Sequence, residues 1–321
     1  MDERFREAMT IWGGGSAEPS YISLNDLYNL SDIVVVIMLG GDARLAVERN
    51  LIAHNIPCVQ GYELLLEMSL GNHISPEEFL EGESLVFSLY DRLIDDDSRK
   101  IYSGSLVRRL APQLALYSYK DLFSGRAYFH HHFFPITQHE CFVDCGAYVG
   151  DSLQDLLSVG DIDSAYCFEV DDENFETLKN YVNSLPKNLS TRVQLIHKGV
   201  WKDHEFLTYG NETLSSSEGV SLCKTANATE IEVESIDRVV GGNPVTYIKM
   251  DIEGSEQAAL VGAKETIMSQ KPNLAICLYH KIDDFWKIYQ RLSEMVSNYR
   301  FGVGHDSKSF ECTCLYAFVS K

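Results

Sequence analysis

The segment Asp144-Cys145-Gly146-Ala147-Tyr148-Val149-Gly150-Asp151 sets two glycines four residues apart between carboxylates. Glycine lets a main chain turn with positive φ and approach a ligand closely, which is what a strand-to-helix loop around a cofactor requires. A dinucleotide would call for GxGxxG, so that its pyrophosphate rests on the helix N-terminus. Here the spacing is GxxxG, and Asp144 and Asp151 would repel a phosphate and attract a cationic ligand carrying an amino group. S-adenosylmethionine is a ligand of that kind, with an ammonium, a sulfonium and no phosphate. Glu169 lies 25 residues beyond Asp144, an offset at which an acid accepts hydrogen bonds from two ribose hydroxyls, and Asp171 and Asp172 follow it. A third group is Asp251 and Glu253, with His280 after Tyr279. Two carboxylates and an imidazole on one rim suit general acid/base work on a hydroxyl. Glu256 falls in the first turn of a helix, where an acid complements the macrodipole, and is given no catalytic role.

These residues need a scaffold that brings them to one edge. From Glu140 onward apolar strands and amphipathic helices alternate. Cys141–Asp144, Ser164–Glu169, Val193–Ile196, Val245–Met250 and Leu274–Tyr279 read as strands, with helices to Leu157, over Asn174–Ser184 and over Ser255–Ser269. Such alternation predicts a parallel sheet covered on both faces, with ligands beyond the carboxyl ends of its strands. Upstream, residues 73–138 form a helical linker region. Ser75-Pro76-Glu77-Glu78 opens a helix with proline at its first position, and Asp95-Asp96-Asp97 marks a solvated helix boundary. Residues 1–72 read as a partial α/β nucleotide-binding-like module: a capped helix at Ser23–Leu27, a buried strand Asp32–Leu39, a helix Asp42–His54 and a strand at Ile56–Val59. Gly40-Gly41 is the βα turn between them.

The motifs from Cys141 to Phe318 resemble the FkbM family of S-adenosylmethionine-dependent methyltransferases. The resemblance is carried by Phe142-Val143-Asp144-Cys145-Gly146-Ala147-Tyr148-Val149-Gly150-Asp151, Phe168-Glu169-Val170-Asp171, His197-Lys198-Gly199-Val200, Ile248-Lys249-Met250-Asp251-Ile252-Glu253-Gly254-Ser255-Glu256 and Leu278-Tyr279-His280-Lys281-Ile282-Asp283-Asp284-Phe285-Trp286. It implies an α/β, Rossmann-like class I methyltransferase sheet of seven strands over residues 139–321, with Tyr299–Val303 and Cys314–Val319 as a final antiparallel hairpin. It also implies a cofactor site of Asp144, Gly146, Ala147, Tyr148, Gly150, Asp151, Glu169, Val170, Asp171, Lys198, Gly199 and Asp251. In that mapping Glu169 holds the ribose, while Lys198 and Gly199 lie at the adenine edge. Two departures stand out: Val170 where many members have proline, and Gly199 where many have an alanine-type residue. Neither removes a charged contact. The implied activity is O-methylation of a hydroxyl on a sugar, glycan or natural product, with Asp251 and His280 as base candidates and Glu253 orienting the acceptor. The spacing leaves open whether Asp251, Glu253 and His280 share a divalent metal ion.

Composition narrows the alternatives. In 321 residues, 27 basic side chains face 47 acidic ones, and the net charge of −20 repels nucleic-acid backbones and anionic lipid surfaces. No apolar run approaches the roughly 20 residues of a membrane span. The charged start Met1-Asp2-Glu3-Arg4 lacks a secretory h-region, which predicts a cytoplasmic location. The eight cysteines read as buried thiols; Cys141 with Cys145 and Cys312 with Cys314 lack the spacing of a zinc knuckle. His130-His131-His132 reads as a polar patch on a connecting segment. Two other functions stay open: a scaffold that keeps the fold without turnover, and an NAD-dependent sugar-nucleotide enzyme, which the missing GxGxxG disfavours. The partial N-terminal module reads as a docking element, with a degenerate, truncated or partner-completed module and a homo-oligomer left open.

Overall fold

The computed structural model describes residues 10–11, 20–21, 35–37, 47, 49–56, 58–60, 76–110, 119–124, 128–129, 132–209, 229–306 and 312–319. The chain divides into two compact units, Met1–Leu66 and Glu67–Lys321. In the first, β1 (Thr10–Ile11) pairs antiparallel with β2 (Ser20–Tyr21), and β3 (Val35–Ile37) pairs parallel with β4 (Cys58–Gln60). Parallel neighbours need a crossover, and helical residues 49–53 lie between them in sequence. The Ser23–Leu27 helix, Gly40-Gly41, His130 and His131 lie outside the described residues.

The second unit opens with α1 (Pro76–Arg92), α2 (Asp96–Leu110) and α3 (Tyr119–Leu122). Pro76 starts α1, and Asp95 accepts the Ser98 N–H at 2.7 Å to cap α2, with His132 Nε2 3.2 Å from its other oxygen. There follow β5 (Glu140–Cys145), α4 (Asp151–Val159), β6 (Ile162–Phe168), α5 (Asp172–Ser184), α6 (Lys187–Ser190), β7 (Val193–Ile196), β8 (Gly199–Val200), β9 (Glu205–Tyr209) and β10 (Thr229–Glu234). The chain continues through α7 (Ile236–Val240), β11 (Tyr247–Met250), α8 (Glu256–Gly262), α9 (Lys264–Gln270), β12 (Asn273–Cys277), α10 (Asp284–Met295), β13 (Arg300–His305) and β14 (Thr313–Phe318).

Seven strands form one sheet in the order β13-β14-β12-β11-β5-β6-β7, with β14 antiparallel to both its neighbours and the other pairings parallel. This is the Rossmann-like class I sheet with a terminal antiparallel hairpin. Away from the edge strand β7 the strands are largely buried on both faces, and Phe142, Ala165, Cys167, Tyr247, Ala275 and Tyr316 belong to one continuous apolar core. Helix α1 lies on α10 through a Ser88–Tyr289 hydroxyl pair at 2.7 Å, and Tyr102 of α2 donates to the Phe285 carbonyl at 2.9 Å. A smaller sheet, β8-β10-β9, is not foreseen from sequence. The stretch read as one helix over Ser255–Ser269 is two. The backbone leaves the helical region at Ala263 (φ −112°, ψ 6°), where Gly262 lies so close to the Trp201 carbonyl that a Cβ would sit 2.2 Å from its oxygen. Among the described residues no helix is long and apolar enough to cross a membrane.

Candidate active site

The loop after β5 is shaped by positive φ at Gly146 (77°), Tyr148 (48°) and Gly150 (94°). Only glycine fits at the first: a Cβ on Gly146 would lie 2.0 Å from the Asp251 carbonyl oxygen at the end of β11. The N–H groups of Gly146 and Ala147 both donate to the Phe168 carbonyl, at 3.1 and 2.8 Å, which ties the loop to the end of β6. Next in the chain, the buried Glu169 accepts the Tyr148 N–H on Oε2 (2.8 Å) and the Val170 and Asp171 N–H groups on Oε1 (2.9 and 2.8 Å). Each carboxylate oxygen has two lone pairs, so Oε2 retains an acceptor position. Asp171 caps α5 by accepting from Glu173 and Asn174 at 3.0 and 2.9 Å, and Asp151 is the first residue of α4. The side chains of Tyr148 and Val170 are exposed beside this loop.

Asp144 is fully buried, and burial outweighs its two partners and holds its carboxyl above the usual aspartate range. Lys249 Nζ lies 3.2 Å away and Ser152 donates at 2.7 Å. The same ammonium donates to the Gly146 carbonyl at 2.5 Å and stands 5.0 Å over the Tyr128 ring. Burial opposes the charge on Lys249, but Asp144 and Asp251 outweigh it and hold its pKa above the usual lysine range. Asp144 therefore acts on the glycine loop through Lys249, a residue to which the sequence reading assigned no role. Its signal was present: a lysine inside the apolar run of a central strand requires a counter-charge.

At the ends of β11 and β12 the third group assembles. Asp251 accepts from the Tyr128 hydroxyl at 2.5 Å and from the Tyr279 hydroxyl at 2.8 Å, and its Oδ1 is 3.4 Å from His280 Nε2. Burial works against its charge, yet Lys249, His280 and the two hydroxyls hold the carboxyl below the usual aspartate range. His280 Nδ1 lies 2.8 Å from Glu256 Oε1, which also accepts the Ile252 N–H at 3.0 Å. Burial disfavours a charged His280, but Glu256, then Asp251 and Glu253, raise its pKa to about 9. Glu253 sits in a turn with positive φ (53°), its Oε2 3.4 Å from His280 Nε2 and its side chain 82% exposed. Glu256 is indeed in the first turn of α8, but it is wholly buried against His280 rather than merely complementing a dipole.

Lys198 and Gly199 lie one strand further out. Lys198 pairs with Glu232 at 2.6 Å and lies 3.8 Å from Glu234, and Gly199 opens β8 opposite Val233. Ile196, His197, Lys198 and Glu234 line a cavity of about 360 Å³ there, and the Glu169 N–H donates to the Ile196 carbonyl at 3.1 Å. The sequence-derived residues thus share the carboxyl-end rim of β5, β6, β7, β11 and β12.

Residues 144–303 match the model of the methyltransferase FkbM domain. The chain carries an FkbM methyltransferase domain. Its fold is that of an FkbM methyltransferase from Methylobacillus flagellatus KT, which superposes with a TM-score of 0.73 at 24% identity over 92% of this chain and 78% of that one. An rRNA methylase from Streptococcus thermophilus (12% identity, 58% of this chain and 90% of that one) gives a TM-score of 0.37. Fibrillarin from Aeropyrum pernix (10% identity, 57% and 68%) gives 0.35. No curated protein matches the sequence. Within this FkbM domain, Tyr128, Lys249 and Glu256 join the site beyond the residues read from sequence. Tyr128 comes from the connecting segment before β5, where no local spacing announces it.

Proposed function

We propose that the chain is an S-adenosylmethionine-dependent O-methyltransferase whose acceptor is a hydroxyl of a sugar, a glycan or a natural product. The observation that carries this reading is the close approach of Gly146 to Asp251. A loop suited to the cofactor and a carboxylate suited to the acceptor's proton meet on one rim, with no room for even a methyl group between their backbones. Bound, the cofactor supplies an electrophilic methyl on a positively charged sulfur. Glu169 accepts from the ribose hydroxyls with the capacity left on Oε2, while its bonds to Tyr148, Val170 and Asp171 keep the loop in place. Lys249 fixes the Gly146 carbonyl, so the loop is organised before the ligand arrives. Tyr128 and Tyr279 aim Asp251. Asp251 takes the proton that the acceptor oxygen loses as the carbon–oxygen bond forms and the carbon–sulfur bond breaks, the electron pair staying on sulfur.

The test is transfer of a labelled methyl group to a panel of sugars, glycans and polyhydroxylated natural products. At least one acceptor should gain label as a base-stable ether, and Asp251→Asn should slow that turnover by about 100-fold or more. A panel that stays unlabelled contradicts the hydroxyl-acceptor reading. Turnover by Asp251→Asn at the wild-type rate removes Asp251 from the proton's path.

A further inference from the structure

We propose that Asp251, Glu256 and His280 hold a divalent cation that binds the acceptor's hydroxyl oxygen, an inference that rests on the methyl-transfer reading above. One ligand atom from each of the three lies within 4.8 Å of the other two. An ion with ligand bonds of about 2.0–2.3 Å holds such atoms roughly 3–4 Å apart, so the cluster closes by about an ångström at its widest around it. Among the described residues two buried atoms of the cluster make no hydrogen bond: Glu256 Oε2, and His280 Nε2, which stands 3.4 Å from oxygens of Asp251 and Glu253. The side chain of His280 is 7% exposed and that of Glu256 wholly buried. A buried carboxylate oxygen with no donor is costly, and a cation is the partner that would satisfy it.

The donor set points to the class of ion. Two carboxylates and one imidazole, with no thiolate, suit Mg²⁺, Mn²⁺ or Zn²⁺ rather than a soft monovalent metal. The cluster is also reachable from outside. Asp251 is 19% exposed, and the exposed Glu253 brings an oxygen to 3.4 Å from His280 Nε2 on the solvent side. Such a site keeps coordination positions open for water and an incoming hydroxyl, and an alkyl hydroxyl on a divalent ion loses its proton far more readily than a free one. Asp251 would then receive a proton from an oxygen already acidified, with Tyr128 and Tyr279 holding its orientation.

Mn²⁺ is the probe. The full-length chain is stripped with a chelator and titrated with MnCl₂, following the heat and the loss of the free-ion paramagnetic signal, with S-adenosylmethionine binding measured on the same preparations. One saturable Mn²⁺ site is expected. Glu256→Gln and His280→Asn should each weaken it by about tenfold or more. Wild-type chain with no saturable Mn²⁺ site overturns the proposal, as does unchanged Mn²⁺ affinity in both variants. If S-adenosylmethionine also fails to bind wild type, the methyl-transfer reading falls with it; if it binds, the metal site alone is wrong.

Discussion

Lys249 and Glu256 show how a charged side chain can stand in a motif while its partner stays hidden. Both lie in the stretch Ile248–Glu256 that carries the family resemblance, yet spacing along one chain does not reveal that Lys249 meets Asp144 across neighbouring strands or that Glu256 meets His280. Asp144, Glu169, Asp251 and His280 were legible because each falls at a strand's carboxyl end, a position that chain direction alone fixes. Tyr128 was not, since it arrives from a connecting segment far away in sequence. The buried pair makes a sharp prediction. Lys249→Met keeps the aliphatic stem but strands the Asp144 carboxylate in full burial, so it should cost about 3–5 kcal/mol and lower the melting temperature by roughly 10 °C. A variant that melts with wild type would mean that Asp144 needs no counter-charge.

Helices and strands were read more fully than their partners. The apolar runs of β5, β6, β11 and β12 follow from burial on both sheet faces, and the alternation with helices dictates parallel pairing. The small sheet escaped notice because β8 has two residues and β10, Thr229–Glu234, alternates acids with apolar residues in a pattern too short to stand out. The helix after Glu256 was overextended because nothing in its composition marks the close approach of Gly262 to the Trp201 carbonyl. Packing of α1 on α10 gives a prediction of reversed sign. Gly to Ala inside a helix ordinarily stabilises by about 0.5–1 kcal/mol. At Gly82 the added Cβ would lie 2.5 Å from the Trp286 indole, itself nearly buried. Gly82→Ala should therefore lower the melting temperature. A rise would show that Trp286 moves aside freely.

Over the whole molecule, a net charge of −20 favours a cationic small ligand over a polyanion, and the glycine loop runs into the exposed Asp151 where a dinucleotide enzyme would seat phosphates. The FkbM domain and its sheet fix the class of protein, while the acceptor is written in side chains whose partners no linear motif specifies. Whether this rim binds S-adenosylmethionine is decided by calorimetric titration of the chain with S-adenosylmethionine, S-adenosylhomocysteine and NAD, repeated on Glu169→Ala. The predicted result is one site for each of the two adenosyl ligands, no heat from NAD, and a loss of about tenfold or more in the variant, worth at least about 1.4 kcal/mol. Binding of NAD, or silence from both adenosyl ligands, would contradict the account.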